Sequence, residues 1–279
     1  MSYFDNNATT ALGHNALSSY EVALLEDWSN PSSPYRTGSR VRAKIEQARE
    51  ELAGFFSFKR DQIIFTSGAT EANNAIFAHF SKGSGLKGSC LVSPFEHPSV
   101  IDSAKYWFDQ KIIYMPTDGS GLVNLNETSS ILEKEKISLV SLMAANNETG
   151  VLQPWRELAE VCSSNGVYFH CDATQWVGKS DISGLSNCGS FSASAHKFCG
   201  PKGVGWLATK VPVKMQWGGA QEFGLRGGTE NYPAIASMMV GLKTAQESIC
   251  EVNSSALWRD EYDKGIVAGI PNSQILGSG

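Results

Sequence analysis

Short apolar runs alternate along the chain with longer segments whose apolar residues recur at steps of three and four. One segment of the second kind carries its apolar residues at Val41, Ile45, Ala48, Leu52 and Phe55. This spacing predicts an amphipathic helix, and Ser39 is its expected N-cap. The other runs are too short for helices of ordinary length and predict buried β-strands.

Strands and helices are predicted to alternate along most of the chain. The predicted strands are 63–65, 90–92, 112–114, 139–142, 167–170, 191–194 and 204–207. The predicted helices start near Thr70 and cover 98–108, 125–134, 154–163, 233–250 and 256–264, with a turn at 275–279. This order predicts an α/β fold with a mostly parallel seven-stranded sheet flanked by helices. In such sheets ligands bind at the loops beyond the carboxyl ends of the strands.

Composition narrows the class of protein. The 279 residues are 42% hydrophobic and 18% charged, with a net charge of −5. These values are typical of a folded globular protein, and the acidic balance argues against a nucleic-acid surface. No signal-peptide pattern opens the chain, and no window reaches the roughly 20 apolar residues of a membrane span. We therefore expect a cytoplasmic protein that binds neither nucleic acid nor membrane.

The six cysteines show no C-x-x-C spacing and no zinc-ligand pattern with histidine. A chain of this length can build a core without disulfides. We expect reduced, mostly buried thiols and no metal site.

Two ionisable residues follow predicted strands. Lys197 stands between small residues and a Gly/Pro loop. If that place is sheltered from water, its amine has a lowered pKa and can act as a nucleophile; the alternative is a surface lysine in a turn. Asp172 ends a strand, where a carboxylate could pair with a pyridinium nitrogen or could simply cap a helix.

Other strand-end loops suit an anion or an aromatic ring. The small residues around Gly68 and Thr70 would leave backbone N–H groups at a helix N-terminus for a phosphate, although the same pattern is an ordinary helix cap. His97 could stack on a ring and move protons, or could be a hydrogen-bonded loop histidine. Arg226 and Thr229 lie beside glycine pairs and could hold an anion or mark turns.

Taken together, these segments resemble the cysteine desulfurases within the class V, fold-type I enzymes that use pyridoxal 5′-phosphate (PLP). The matching motifs occur in family order over nearly the whole chain. They are FDNNATT at 4–10, NPSS at 30–33, TSGATE at 66–71, EHP at 96–98, NNETG at 146–150, DATQ at 172–175, SAHK at 194–197, GPKG at 200–203, GLR at 224–226 and GTEN at 228–231.

The resemblance implies two domains. Residues 15–255 would form the large PLP-binding domain of a fold-type I transferase. Residues 1–14 would belong to a small α+β domain, and 256–279 would begin an incomplete C-terminal part of that domain.

The resemblance also implies which residues face the cofactor ring. Lys197 would carry PLP as a Schiff base, Asp172 would pair with the pyridine nitrogen, and Gln175 would bond the phenolic oxygen. Asn147 would lie beside Gln175, and His97 would stack over the ring. Lys197 and His97 would be the catalytic residues among these.

A second implied group binds the phosphate. The backbone of Ala69 and the side chains of Thr70, Ser194 and His196 would hold it within one chain. Thr229 would reach the phosphate bound in the other subunit, so the resemblance implies a homodimer.

The implied reaction converts L-cysteine and an enzyme thiol into L-alanine and an enzyme persulfide. The sulfur would then pass to an acceptor or iron–sulfur scaffold protein, for cluster assembly or thiolation.

One departure from the family pattern concerns the sulfur-accepting cysteine and the arginine that binds the substrate carboxylate. In the family both lie C-terminal to the motifs quoted above, so the chain resembles a C-terminally truncated member. We expect these 279 residues alone to bind PLP but to release essentially no alanine, and we interpret Cys199 as structural. The alternatives are a cysteine-independent class V aminotransferase or lyase, or an inactive PLP-binding homologue.

Overall fold

A computed structural model describes residues 3–83 and 88–275, without the side chains of 82–83 and 250–255. Within these ranges the helices are α1 (His14–Glu26), α2 (Arg36–Phe56), α3 (Ala69–Ala78), α4 (Pro98–Phe108), α5 (Leu125–Lys134), α6 (Trp155–Ser164), α7 (Tyr232–Glu247) and α8 (Ile249–Gly269). The strands are β1 (Ile63–Thr66), β2 (Ser89–Val92), β3 (Ile112–Tyr114), β4 (Ile137–Met143), β5 (Phe169–Asp172), β6 (Ser190–Ser194) and β7 (Gly205–Thr209). Of the predicted C-terminal turn, 276–279 lie outside the described residues.

The strands form one sheet in the order β1-β7-β6-β5-β4-β2-β3. Strand β7 runs antiparallel to both of its neighbours, and all the other pairs are parallel. The prediction of a mostly parallel seven-stranded sheet flanked by helices is therefore confirmed. Helices cover both faces of the sheet, so the inner strands are buried along almost their whole length, including the serines of β6.

Two hydrophobic layers sandwich the sheet. One face packs against α2, α5, α6 and α7, with Trp155 and Trp206 among its largest buried side chains. The opposite face packs against α3 and α4, around Ile76 and Phe77. This arrangement leaves the carboxyl ends of the parallel strands at one exposed edge, where the loops meet. No helix in the described part of the chain is long and apolar enough to cross a membrane.

Three helices differ from the sequence predictions. Helix α2 begins at Arg36 after the N-cap Tyr35, so Ser39 lies inside the helix and its prediction as the N-cap is wrong. Helix α1 was not predicted, because it buries only the small residues Ala16 and Ala23 and exposes its leucines. Helix α8 continues through position 255, where the large domain was predicted to end. The two predicted domain boundaries, between 14 and 15 and between 255 and 256, stay predictions.

Candidate active site

A cavity of about 420 Å³ opens at the carboxyl edge of the sheet, beside the start of α3. Its walls include nearly all of the residues predicted to bind PLP: Ala69, Thr70, His97, Asn147, Asp172, Gln175, Ser194, His196 and Lys197. Thr229 does not line this cavity and lies exposed on a loop. Tertiary structure therefore brings together residues that are spread over 129 positions of sequence, from 69 to 197.

The turn from β1 into α3 forms a cradle for an anion. Gly68 is the N-cap of α3 and has a φ of 154°, a backbone conformation that favours glycine. A Cβ built on Gly68 would lie 3.3 Å from the hydroxyl oxygen of Ser194. The first turn of the helix leaves the N–H groups of Ala69 and Thr70 without an intrahelical acceptor, and the helix dipole favours negative charge there.

The Asp172 carboxylate is buried at the end of β5. Its Oδ1 accepts a hydrogen bond from the N–H of Thr174 at 3.0 Å, and its Oδ2 accepts one from the amide nitrogen of Asn73 at 2.9 Å. Turns follow Asp172 rather than an α-helix, so the helix-cap alternative for this residue is wrong. Both oxygens are held in place, and the carboxylate reaches the cavity.

Lys197 projects into the same cavity and is held by the N-terminal segment of the chain. Its Nζ donates hydrogen bonds to the carbonyl oxygens of Asn7, at 2.5 Å, and Ala8, at 2.9 Å. Burial lowers the pKa of Lys197, while the charges of Asp172 and Asp5 act in the opposite direction. The side chain is half-buried, and the lowered pKa is the direction that the sequence suggested for a nucleophilic lysine.

We call residues 5–10 the N-terminal strap because Ala8 lines the cavity and other residues of this segment bond to its wall. The carbonyl oxygen of Asn7 also accepts a hydrogen bond from the amide nitrogen of Gln175 at 2.8 Å. Lys179 donates a hydrogen bond to the amide oxygen of Gln175 at 2.6 Å. This bond fixes the orientation of the amide, so the nitrogen of Gln175 is the atom that faces Asn7 and donates to it. Burial, followed by the charge of Lys197, lowers the pKa of Lys179 to about 8. Neither Asn7 nor Lys179 was predicted as a site residue, although Asn7 lies within the motif at 4–10 and Lys179 follows the motif at 172–175 by four positions.

Two histidines belong to the cavity wall. His97 is the N-cap of α4, and its Nδ1 accepts a hydrogen bond from the backbone N–H of Ser99 at 3.1 Å. His196 lies with its Nδ1 3.1 Å from the hydroxyl of Thr9 in the strap. Burial and the neighbouring lysines, Lys197 first, lower the pKa of His196. The His196 ring is therefore held mostly neutral beside cationic groups.

Arg226 forms an ion pair with a carboxylate of the cradle. Its Nε lies 2.9 Å from Oε1 of Glu71, in the first turn of α3. Glu71 in turn accepts a hydrogen bond from the N–H of Ser67 at 2.7 Å. The guanidinium thus braces the cradle through the carboxylate of Glu71, and the binding of a ligand anion by Arg226 stays a prediction.

The cysteines divide into two groups. Cys90, Cys162, Cys171 and Cys188 are buried, as predicted. Burial raises the pKa of both Cys90 and Cys162 to about 12, so these thiols stay protonated. Cys199 is exposed, and its N–H donates to the hydroxyl of Thr10 in the strap at 2.7 Å. The side chain of Cys250 lies outside the described residues.

Comparison with known proteins gives consistent matches. The family model described as Aminotransferase class-V matches residues 2–277. The protein named Cysteine desulfurase IscS from Clostridium botulinum is 34% identical over 283 residues, which cover 99% of this chain and 71% of that protein. The Cysteine desulfurase of Cereibacter sphaeroides is 37% identical over 285 residues, covering 99% and 72%.

Solved structures agree with these matches. A structure described as a NifS-like protein superposes with a TM-score of 0.82 at 36% identity, covering 89% of this chain and 71% of the other. A NifS-like protein from Rickettsia africae superposes with a TM-score of 0.88 at 29% identity, covering 100% and 78%.

Proposed function

Because the chain belongs to the class V aminotransferase family, and within it to the cysteine desulfurases, we propose that it is a PLP-dependent enzyme acting on L-cysteine. One observation carries the proposal. A half-buried lysine, a buried carboxylate and a helix N-terminus face the same cavity, at Lys197, Asp172 and the start of α3.

The residues of the cavity fit PLP in size and in chemistry. A volume of about 420 Å³ lies within the range of cofactor pockets. The cradle at Gly68, with the hydroxyls of Thr70 and Ser194, suits a phosphate, and a Cβ on Gly68 would narrow it. Asp172 suits a protonated pyridine nitrogen. The amide nitrogen of Gln175 suits the phenolic oxygen.

The remaining predicted ligands complete this proposed set. His97 would lie over the ring, with Asn147 beside Gln175, and His196 would join Ala69, Thr70 and Ser194 at the phosphate. When bound, PLP supplies an electron sink that stabilises negative charge at the substrate α-carbon.

Lys197 has two proposed tasks, which are to attach the cofactor and to move a proton at the α-carbon. Attachment and removal of a proton both need the unprotonated amine. Burial lowers the pKa of this amine and so enlarges its unprotonated fraction near neutral pH. Asp172, held by Asn73 and Thr174, would keep a proton on the pyridine nitrogen.

The proposed overall reaction breaks the C–S bond of L-cysteine. The sulfur forms an S–S bond with a protein thiol, and the hydrogen atoms of the two thiols end on L-alanine and on the persulfide. Among the described side chains, only Cys199 presents an exposed thiol, and we interpret it as structural. L-alanine formed by these 279 residues alone would replace that interpretation by a role as sulfur acceptor, which Cys199→Ser tests directly. An acceptor or iron–sulfur scaffold protein would receive the sulfur in the next step.

We also propose a homodimer. Thr229 lies exposed and away from its own cavity, which supports a role at the phosphate of a second subunit. The cytoplasm is the proposed compartment.

The test begins with PLP added to purified protein, followed by borohydride reduction and peptide mapping. Modification is expected at Lys197, and Lys197→Ala should abolish it. Lys202→Ala is the matched control, because Lys202 lines the same cavity and should leave the attachment intact. A modified lysine elsewhere in folded protein would overturn the assignment.

Product analysis then tests the reaction class. With L-cysteine and a reductant, a desulfurase forms L-alanine, whereas an aminotransferase forms a keto acid. Formation of the keto acid would replace the proposed activity by the aminotransferase alternative.

A further inference from the structure

A buried asparagine lies directly beneath the cavity. Asn73, on α3, is fully buried and makes four hydrogen bonds with its side-chain amide. Its nitrogen donates to Oδ2 of Asp172 at 2.9 Å and to the hydroxyl of Ser99 at 3.0 Å. Its oxygen lies 2.9 Å from Nε2 of His170 and 2.7 Å from the hydroxyl of Ser192. Both hydrogens and both lone pairs of the amide are therefore used.

The acceptor-only partner determines which way the amide points. The carboxylate of Asp172 can only accept, so the nitrogen of Asn73 faces the upper pair and its oxygen faces His170 and Ser192. Burial lowers the pKa of His170 to about 4, so the ring is neutral and carries one hydrogen. That hydrogen is on Nε2, which donates to the oxygen of Asn73, and Nδ1 then accepts from the hydroxyl of Ser190, 2.9 Å away.

We propose that Asn73 is a positioning residue of the cofactor site, which orients Asp172 directly and His97 through Ser99. The inference rests on the proposed function, since Asp172 and His97 are the groups proposed to contact the pyridine ring. Both lie in the wall of one cavity, so a single buried amide controls two groups with different tasks.

The branch to His97 also assigns the hydrogen of that imidazole. The hydroxyl of Ser99 accepts from Asn73, so its own hydrogen is available for Nδ1 of His97, 2.9 Å away. The backbone N–H of Ser99 donates to the same nitrogen at 3.1 Å. A backbone N–H can only donate, so Nδ1 carries no hydrogen. In the neutral ring the hydrogen is therefore on Nε2, which makes that nitrogen the donor.

A double-mutant cycle separates positioning from general support of the fold. One hydrogen bond to a charged group corresponds to roughly a 10- to 100-fold change in affinity. We expect Asn73→Ala to weaken PLP binding by that factor, measured by equilibrium dialysis. In an Asp172→Ala background the same substitution should have a clearly smaller effect, because only the branch through Ser99 to His97 is then left to lose.

Asn74→Ala is the matched control. Asn74 is the next residue of the same helix, and among the described residues its amide bonds only the carbonyl of Thr70. It should leave PLP affinity within about twofold, as expected for a group outside the network. Equal, additive losses from Asn73→Ala in both backgrounds would overturn the direct branch of the proposal.

A second measurement needs neither cofactor nor activity. Long-range ¹H–¹⁵N spectra of the cofactor-free protein should show His97 with its hydrogen on Nε2. The Nδ1 resonance should move in Asn73→Ala and in Ser99→Ala, and should stay in place in Asn74→Ala. A hydrogen on Nδ1, or an unchanged Nδ1 resonance in the first two variants, would overturn the branch to His97.

Ser99→Ala removes one hydroxyl and keeps this test available even if Asn73→Ala fails to fold. A wild-type protein that does not bind PLP would overturn the proposed function. The spectra would still show whether Asn73 and Ser99 determine the position of the hydrogen on His97.

Discussion

The Nζ of Lys197 donates a hydrogen bond to the carbonyl oxygen of Ala8 at 2.9 Å, although 189 positions separate the two residues. The neighbouring carbonyl of Asn7 accepts a second one. The N-terminal strap thereby covers the amine and contributes to the burial that lowers the pKa of Lys197. That burial has a measurable consequence for the pH at which the amine reacts.

The rate of PLP attachment should rise with pH, because only the unprotonated amine of Lys197 attacks the cofactor. Since the pKa of Lys197 is lowered, we expect the midpoint of the rise below the ordinary 10.5. The charge of Asp5 raises this pKa, so Asp5→Asn should move the midpoint to still lower pH. Stopped-flow absorbance as a function of pH measures both. A midpoint that rises in Asp5→Asn, or moves equally in the remote control Asp61→Asn, would contradict this account.

Gly68→Ala should weaken PLP binding about tenfold or more, because the φ of 154° is strained for alanine and the added Cβ approaches Ser194. Gly54→Ala is the matched control. A Cβ there meets no atom within 4 Å, and alanine in a helix should be neutral or slightly stabilising. Dialysis against PLP and thermal denaturation of both variants test the comparison. An unchanged affinity for PLP in Gly68→Ala would contradict the proposal that the phosphate binds at this turn.

Glu222→Gln should destabilise the fold by about 3–5 kcal/mol, the cost of leaving a buried charge unpaired. The two side chains of Arg49 and Glu222 are almost completely buried and form two hydrogen bonds, at 2.5 and 2.7 Å. Glu51→Gln breaks the half-exposed pair with Lys243 and should cost less than about 1 kcal/mol. Urea unfolding measures both changes, and similar losses would show that burial does not distinguish the two pairs.

Stability should fall as the pH drops from about 6.5 to about 4 because His170 is held neutral in the folded protein. In this window the unfolded chain binds a proton on His170 and the folded chain does not. The expected loss is up to about 3 kcal/mol, at roughly 1.4 kcal/mol per pKa unit. Urea unfolding at several pH values should show a flatter dependence for His170→Asn. The exposed control His14→Asn should keep the wild-type slope, and equal slopes in the two variants would contradict the assignment.

Mixing Thr229→Ala with Lys197→Ala protein should restore wild-type PLP attachment at part of the sites. In a shared-site dimer, one of the two sites of such a hybrid combines an intact Lys197 with an intact Thr229. Subunit exchange followed by PLP titration and borohydride trapping measures this fraction. If Thr229 acts within its own subunit, or not at all, mixing will restore nothing.

The strands and their order along the chain were predictable from the sequence because most of the buried strands contain a short apolar run. The loop chemistry was predictable for a related reason. Polar residues such as Asp172 and Lys197 stand just beyond those runs, and the carboxyl ends of parallel strands meet at one edge. Helix α1 escaped prediction, since periodicity detects large apolar residues and α1 buries two alanines. Ser39 was misjudged because the polar first turn of α2 carries no such signal.

Tertiary structure alone decided which of these residues touch. Asn73 and Asp172 are 99 positions apart, and nothing in the local pattern of α3 distinguishes the buried Asn73 from the neighbouring Asn74. Their difference arises because the packing of α3 against the sheet turns one side chain toward β5 and leaves the other along its own helix. The exposure of Cys199 and the contact of Ala8 with Lys197 were settled in the same way, by the path of the folded chain. Periodicity reports which face of an element is buried, whereas the partner on that face depends on where the rest of the chain comes to lie.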